Sequence, residues 1–260
     1  SRMTKNWPML GALLALSFGA SAADWTGNGE LGLAYARGNA QSETFNAKVD
    51  LKKDDEHWLY EVNGAALRAS GEVDVVLDDG SVGREKSTNA SRWEVGGKVG
   101  YKYTERLYFF GSARYDDDDF APYRWQFIVS GGAGYKFIDS EQTKLTGEVG
   151  PGWRRQQPID ELVALPPPPR LVSPDQQGDG VVRFTLTASH RLTANTEIVD
   201  GLLIESGGGN TFAQNDLGIQ VQMSERLALK TGLQVRHNTE VPAGVENTDT
   251  LLTTNIVVGF

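Results

Sequence analysis

Cations and carboxylates stand at alternate positions along this chain, each set between apolar neighbours. The cations are Lys48, Lys98, Lys102, Arg114, Lys136, Arg183, Lys230 and Arg236; the carboxylates are Glu30, Asp50, Glu61, Glu94 and Glu148. In an extended strand, side chains two residues apart share a face, so these groups would project to one side. Facing a common interior, they have two uses. A water-filled lumen with low-dielectric walls concentrates their field and admits small solutes selectively. A closed lumen makes them pair across the space and stiffen the wall. Lys98, Lys102, Arg114 and Lys136 fall on three successive segments, spaced about 4.8 Å apart if paired, and would form one basic wall. The preferred expectation is a narrow porin-like channel with mild anion preference. A closed barrel that presents its loops is the alternative.

Other constellations carry less. Asp116, Asp117, Asp118 and Asp119 are four consecutive carboxylates, and oxygen ligands suit calcium or magnesium. No EF-hand spacing accompanies them, so a solvated acidic loop is the preferred reading, and neither metal nor cofactor is assigned. His57, His190 and His237 invite a search for serine–histidine chemistry. Ser189 and His190 are adjacent and point to opposite faces. No nucleophile–base–orienter set emerges, so no catalytic residue is assigned and an outer-membrane lipid hydrolase is the third-ranked reading. Gly27-Asn-Gly-Glu-Leu-Gly32 spells G-x-G-x-x-G, yet a dinucleotide site needs a strand before it and a helix after it. A strand pattern follows here, and glycines lining a narrow lumen are the simpler explanation.

The elements that would position the charges alternate with period two. Trp93, Val95, Val99, Tyr101 and Tyr103 oppose Glu94, Lys98 and Lys102; Leu227, Leu229, Leu233 and Val235 oppose Lys230, Gln234 and Arg236. About twelve such segments follow Asp24, an even number as single-chain outer-membrane barrels require. Only Thr196–Ser206 is ambiguous in parity. Short polar turns fall at Lys53–Glu56, Thr104–Arg106, Asp139–Gln142, Thr193–Asn195 and Ser224–Glu225. Longer links fall at Arg37–Ser42, Ser70–Ser91, Asp116–Tyr123, Gln156–Asp179, Gly207–Asn210 and Asn238–Thr248. Such alternation predicts an all-β, antiparallel, up-and-down transmembrane barrel with short periplasmic turns and long outer loops. Leu229 is expected to meet lipid near the midplane.

Both ends agree. Phe260, Val258 and Ile256 place apolar side chains on one face of a last strand that stops on an aromatic, the form of a barrel-assembly signal. Arg2 and Lys5 precede the apolar run Met9–Phe18 and the Ala20-Ser21-Ala22 site, a secretory signal pattern. The expected division is residues 1–22 as signal peptide and 23–260 as barrel. The 260-residue chain has no cysteine and a net charge of −9, which becomes 23 − 34 = −11 without the signal segment. No disulfide framework is available, and strong acidity argues against nucleic acid as a partner. The expected partners are outer-membrane lipid and lipopolysaccharide, the barrel-assembly machinery through the last strand, and small solutes if the lumen is open.

Several stretches carry a family likeness. Gly29-Glu-Leu-Gly-Leu-Ala-Tyr-Ala-Arg-Gly-Asn39 with Ser42-Glu-Thr44 resembles the opening of the salt-induced outer-membrane protein (YdiY-like) family. Tyr108-Phe-Phe-Gly-Ser-Ala-Arg-Tyr-Asp116 with Phe120, Gly131–Tyr135 and Gly147-Glu-Val-Gly-Pro-Gly152 are similar to its centre. Arg236-His-Asn238, Thr248-Asp249 and the terminal Gly-Phe are similar to its end. The resemblance implies a Gram-negative outer-membrane barrel and no established activity. It attaches a role in envelope tolerance of salt stress to the closed-barrel alternative.

Overall fold

A computed structural model describes residues 25–37, 42–76, 82–119, 121–163, 170–241 and 246–260. The expected signal peptide and cleavage site lie outside the described residues. In chain order the strands are β1 (Trp25–Arg37), β2 (Ser42–Asp54), β3 (Trp58–Val76), β4 (Val82–Lys102), β5 (Leu107–Asp118), β6 (Tyr123–Asp139) and β7 (Thr143–Pro158). They continue as β8 (Glu161–Val163), β9 (Arg170–Val172), β10 (Gln177–Arg191), β11 (Thr196–Gly207), β12 (Asn210–Gln222), β13 (Leu227–Asn238) and β14 (Thr248–Gly259). Twelve of them close into one barrel in sequence order, and β8 and β9 pair separately in the long link between β7 and β10. The last strand closes against the first, with Leu31 opposite Ile256. Among the described residues closure leaves no free edge in the barrel sheet itself, the condition for crossing a bilayer with strands.

The chain end continues that seam. Phe260 donates its N–H to the Gly27 carbonyl at 3.0 Å and accepts from the Gly27 N–H at 2.9 Å. A Cβ on Gly27 would lie 2.7 Å from the Phe260 ring, so the missing side chain is what lets the ring lie over β1. Gly27 and Gly29 thus point outward, opposite in parity to the buried Glu30, and of this glycine motif only Gly32 turns inward, toward Asn255. The expected lumen-lining glycines are corrected accordingly.

The outer wall has the layering a bilayer demands. Leu31, Val99, Val149, Leu217, Leu233 and Ile256 are all exposed. Near the end where β1 begins and β14 finishes, Trp58 meets Tyr101 at 5.3 Å and Tyr135 meets Phe137 at 5.3 Å. Near the opposite end, Tyr115 lies between Trp93 at 5.1 Å and Trp125 at 6.1 Å. On β4, Trp93 and Tyr101 are eight residues apart, about 26 Å along a strand and roughly 20 Å of height at a tilt of about 40°. Aromatic girdles flanking an apolar band of about that height mark a transmembrane barrel.

Leu229, expected near the midplane, is only the third residue of β13, close to the girdle, where a charge costs about 0–1 kcal/mol. Leu233 pairs with Leu217 at mid-strand and is 38% exposed. Leu233→Lys should destabilise the barrel by about 2–4 kcal/mol in urea unfolding from lipid vesicles, and Leu229→Lys by clearly less. Equal penalties would remove the bilayer placement.

The five turns at the terminal end share one construction. Asp55, Thr104, Ser140, Thr193 and Ser224 each donate a backbone N–H to the carbonyl three residues on. In the first three, the side-chain oxygen also accepts the returning N–H: Trp58 to Asp55 at 2.8 Å, Leu107 to Thr104 at 2.8 Å and Thr143 to Ser140 at 3.0 Å. Asp, Ser and Thr favour turns for this reason. The Trp58 N–H, helped by that of His57, holds the Asp55 carboxylate below its ordinary range.

At the other end, two of the expected long links are short. Gly208 (φ 61°) and Gly209 (φ 84°) alone join β11 to β12, both in the positive-φ region that a type I′ hairpin requires. β5 runs on to Asp118 and β6 resumes at Tyr123, so most of the supposed acidic loop is strand. Length there comes instead from β3 and β4, which stay paired out to Val76 and Val82 beyond a register shift at Ala69/Ser70. Residues 77–81 and 164–169, within the two longest expected links, lie outside the described residues.

Candidate functional site in the lumen

Strand parity delivers the charged residues to the interior, and there they pair. Glu148 on β7 is the centre of one group. It accepts hydrogen bonds from Lys98 Nζ at 2.5 Å, from the Tyr108 hydroxyl at 2.6 Å and from Thr185 Oγ1 at 3.1 Å. Lys98 also meets Glu61 at 2.8 Å, so the group bridges β3, β4, β5, β7 and β10. Lys230 Nζ donates to Glu30 at 2.8 Å, and Asn255 Nδ2 holds the other carboxylate oxygen at 2.9 Å.

A second group crosses the barrel. Arg114 on β5 pairs with Glu205 on β11 at 2.9 Å, four strands away. Arg92 on β4 donates to Gln234 on β13 at 2.8 Å, five strands away by the shorter route. Arg236 on β13 forms an ion pair with Asp118 on β5, and these strands are six apart whichever way the barrel is followed. That pair therefore joins opposite walls. Together with Arg92–Gln234 it forms a chord across the lumen. Arg236 also lies over the Phe212 ring, 5.1 Å from its centroid.

Two cavities lie in the lumen, the larger lined mainly from β3–β7, β10 and β11 and the smaller mainly from β12–β14 and β1–β4. The larger, about 190 Å³, is lined among others by Glu61, Glu94, Glu148 and Glu205. Lys98, Arg114, Arg183 and Arg236 face these acids across the same space, so four cations balance four carboxylates. The smaller, about 110 Å³, has Lys48, Arg92 and Lys230 against Glu30 and Asp216, a surplus of one cation.

This arrangement corrects two expectations. The basic wall does not stand free: Lys98 has two carboxylates, Lys102 pairs with Asp54, Arg114 lies 3.2 Å from Asp116, and Lys136 lies 3.5 Å from Asp139. Lys48 is likewise 3.2 Å from Asp50. The four aspartates are neither a solvated loop nor a convergent metal site. Asp116 and Asp118 are buried inward, and Asp117 sits on the opposite face, paired in register with Trp93 and Trp125. Asp119 accepts from the Ser91 N–H at 3.1 Å and its hydroxyl at 2.9 Å. No metal-holding cluster occurs among the described residues.

Sequence reasoning missed Glu205, Asp216 and Arg92. Glu205 lies in the strand whose faces could not be assigned, although Leu202 and Ile204 alternate with Leu203 and Glu205. His190 and His237 each bond a threonine on the neighbouring strand, Thr143 and Thr248, both at 2.8 Å.

A family model described as "Protein of unknown function, DUF481" matches residues 29–260. The chain belongs to this family. The "Uncharacterized protein YdiY" of Escherichia coli (strain K12) is 23% identical over 162 residues, covering 62% of this chain and 59% of that protein. The chain thus spans less than two thirds of that relative's length. Among solved structures, the NanC porin superposes with a TM-score of 0.53 at 8% identity, covering 88% of this chain and 98% of its own. The translocator domain of the autotransporter NalP from Neisseria meningitidis gives 0.53 at 10% identity, covering 91% and 88%. At such identities the likeness is one of fold: this family member is a twelve-stranded barrel of the outer-membrane kind.

Proposed function

We propose that the protein is a narrow porin-like channel of the outer membrane, constricted by the chord across its lumen and mildly anion-selective. The supporting observation is the smaller cavity, whose charged walls carry one cation more than they carry carboxylates. In a low-dielectric enclosure even one surplus lining cation biases which ion enters. The bias is mild because Asp50, outside that lining, lies 3.2 Å from Lys48. Lipid and lipopolysaccharide would meet the outer wall, and the assembly machinery would meet β14.

Planar-bilayer recording tests this reading. The expected trace is a small conductance whose reversal potential in a salt gradient favours chloride. Lys48→Glu turns three cations and two acids into two and three, and should reverse the preference. Lys98 and Lys102 lie outside the lining of the smaller cavity and should matter less. A barrel that inserts without conducting would sink the channel and leave the closed, loop-presenting barrel, the reading that the Asp118–Arg236 pair favours.

A further inference from the structure

We propose that the larger lumen cavity binds a small zwitterionic solute of the free amino-acid class. Three observations converge on it. The first is size: about 190 Å³ is available, and an engineered cavity of about 150 Å³ is enough for benzene, so a solute of about six to eight heavy atoms fits. The second is charge. With four cations facing four carboxylates, the walls offer no net attraction to a simple anion or cation, whereas a dipolar solute gains at both of its ends.

The third is unfinished bonding. Glu205 is 1% exposed and Arg236 is 8% exposed. Among the described residues, Glu205 Oε1 and Arg236 Nε have no hydrogen-bond partner. Glu205 Oε1 does lie 3.5 Å from Arg183 Nε, as an ion pair without hydrogen-bond geometry. Arg183 Nη1, on the same cavity, also has no hydrogen-bond partner. One buried acceptor and two donors left incomplete in one cavity are unusual, because such atoms cost free energy until paired; Glu205 and Arg236 are the more deeply buried. The two side chains come from β11 and β13, with β12 between them, and they carry opposite charge. An ammonium group completes Glu205, and a carboxylate completes Arg236. Passage of the solute rests on the channel reading; its binding does not.

Saturation-transfer NMR on the folded, detergent-solubilised protein tests the site with three probes. Alanine carries both groups, lactate replaces the ammonium with a hydroxyl, and ethylamine lacks the carboxylate. Alanine should bind at least tenfold more tightly than either analogue. Glu205→Gln should weaken alanine at least tenfold while leaving lactate nearly unchanged. Ser112→Leu, which fills the cavity without removing a charge, should abolish binding of alanine. Heat-modifiable mobility on gels establishes that each variant is folded. Equal binding of the three probes, or none by alanine to the folded wild type, overturns the proposal. Alanine binding without conductance keeps the site and removes transport; conductance without alanine binding removes the site and keeps the channel.

Discussion

Arg236→Met is expected to destabilise the barrel by about 3–5 kcal/mol, the usual cost of removing one member of a buried ion pair. Asp118 is buried at the loop end of β5, and Arg236 reaches it from the opposite wall. Methionine keeps much of the arginine's volume, so the loss is of charge and of the contact with Phe212 rather than of packing. That contact adds about 0.5–2 kcal/mol. Arg236→Lys separates the two, since lysine restores a charge but not the planar fork or its stacking; it should fall between wild type and Arg236→Met. The double variant Asp118→Leu with Arg236→Met should recover most of the loss, because apolar replacements of buried pairs are often neutral or better. Urea titration in lipid vesicles reads all three. A single-variant cost under about 1 kcal/mol, the scale of an exposed pair, would mean that water fills this level of the lumen. The same chord governs aperture: Asp118→Ala with Arg236→Ala should raise the conductance severalfold.

Glu148→Ala should cost about 3 kcal/mol, from a stranded tyrosine hydroxyl, a lost bond from Thr185 and a partly stranded lysine. The Tyr108 hydroxyl donates to Glu148, and the ring lies beside Leu59 and Phe110 in the apolar cluster at the turn end of the lumen. Lys98 is less affected, because Glu61 remains at 2.8 Å. Glu148→Gln keeps an acceptor for Tyr108 and should lose only about 1–2 kcal/mol, the part that belongs to charge. A double-mutant cycle with Lys98→Met should return a coupling of about 1–3 kcal/mol. If Glu148→Ala unfolds within experimental error of wild type, the group around it contributes nothing to the barrel.

The alternation that positions these residues is legible in the sequence itself. Period two is a local property: Val95 and Val99 on one face of β4, Glu94 and Lys98 on the other, need no knowledge of the neighbouring strand. Strand number follows from counting such segments. Strand ends are less legible. Asp116 and Asp118 read as loop because acidic residues dominate turns, yet both are strand residues, made tolerable in the interior by Arg114 and Arg236. Gly207–Asn210 reads as a long link because glycine content marks a turn without stating its length.

What only the tertiary structure decided is who meets whom across the lumen. Arg236 and Asp118 are 118 positions apart in the chain and six strands apart in the barrel. Their meeting depends on the stagger of all twelve strands, a property of the closed sheet and of no single segment. The same holds for the balance of charge. Summed over the residues that alternation picks out, the interior is a surplus of cations. Closure brings in Glu205, Asp216, Asp116 and Asp118 and leaves an excess of one in the smaller cavity. A local pattern states which face a side chain takes, whereas a Coulomb energy depends on distances through space, and those exist only once the barrel has closed.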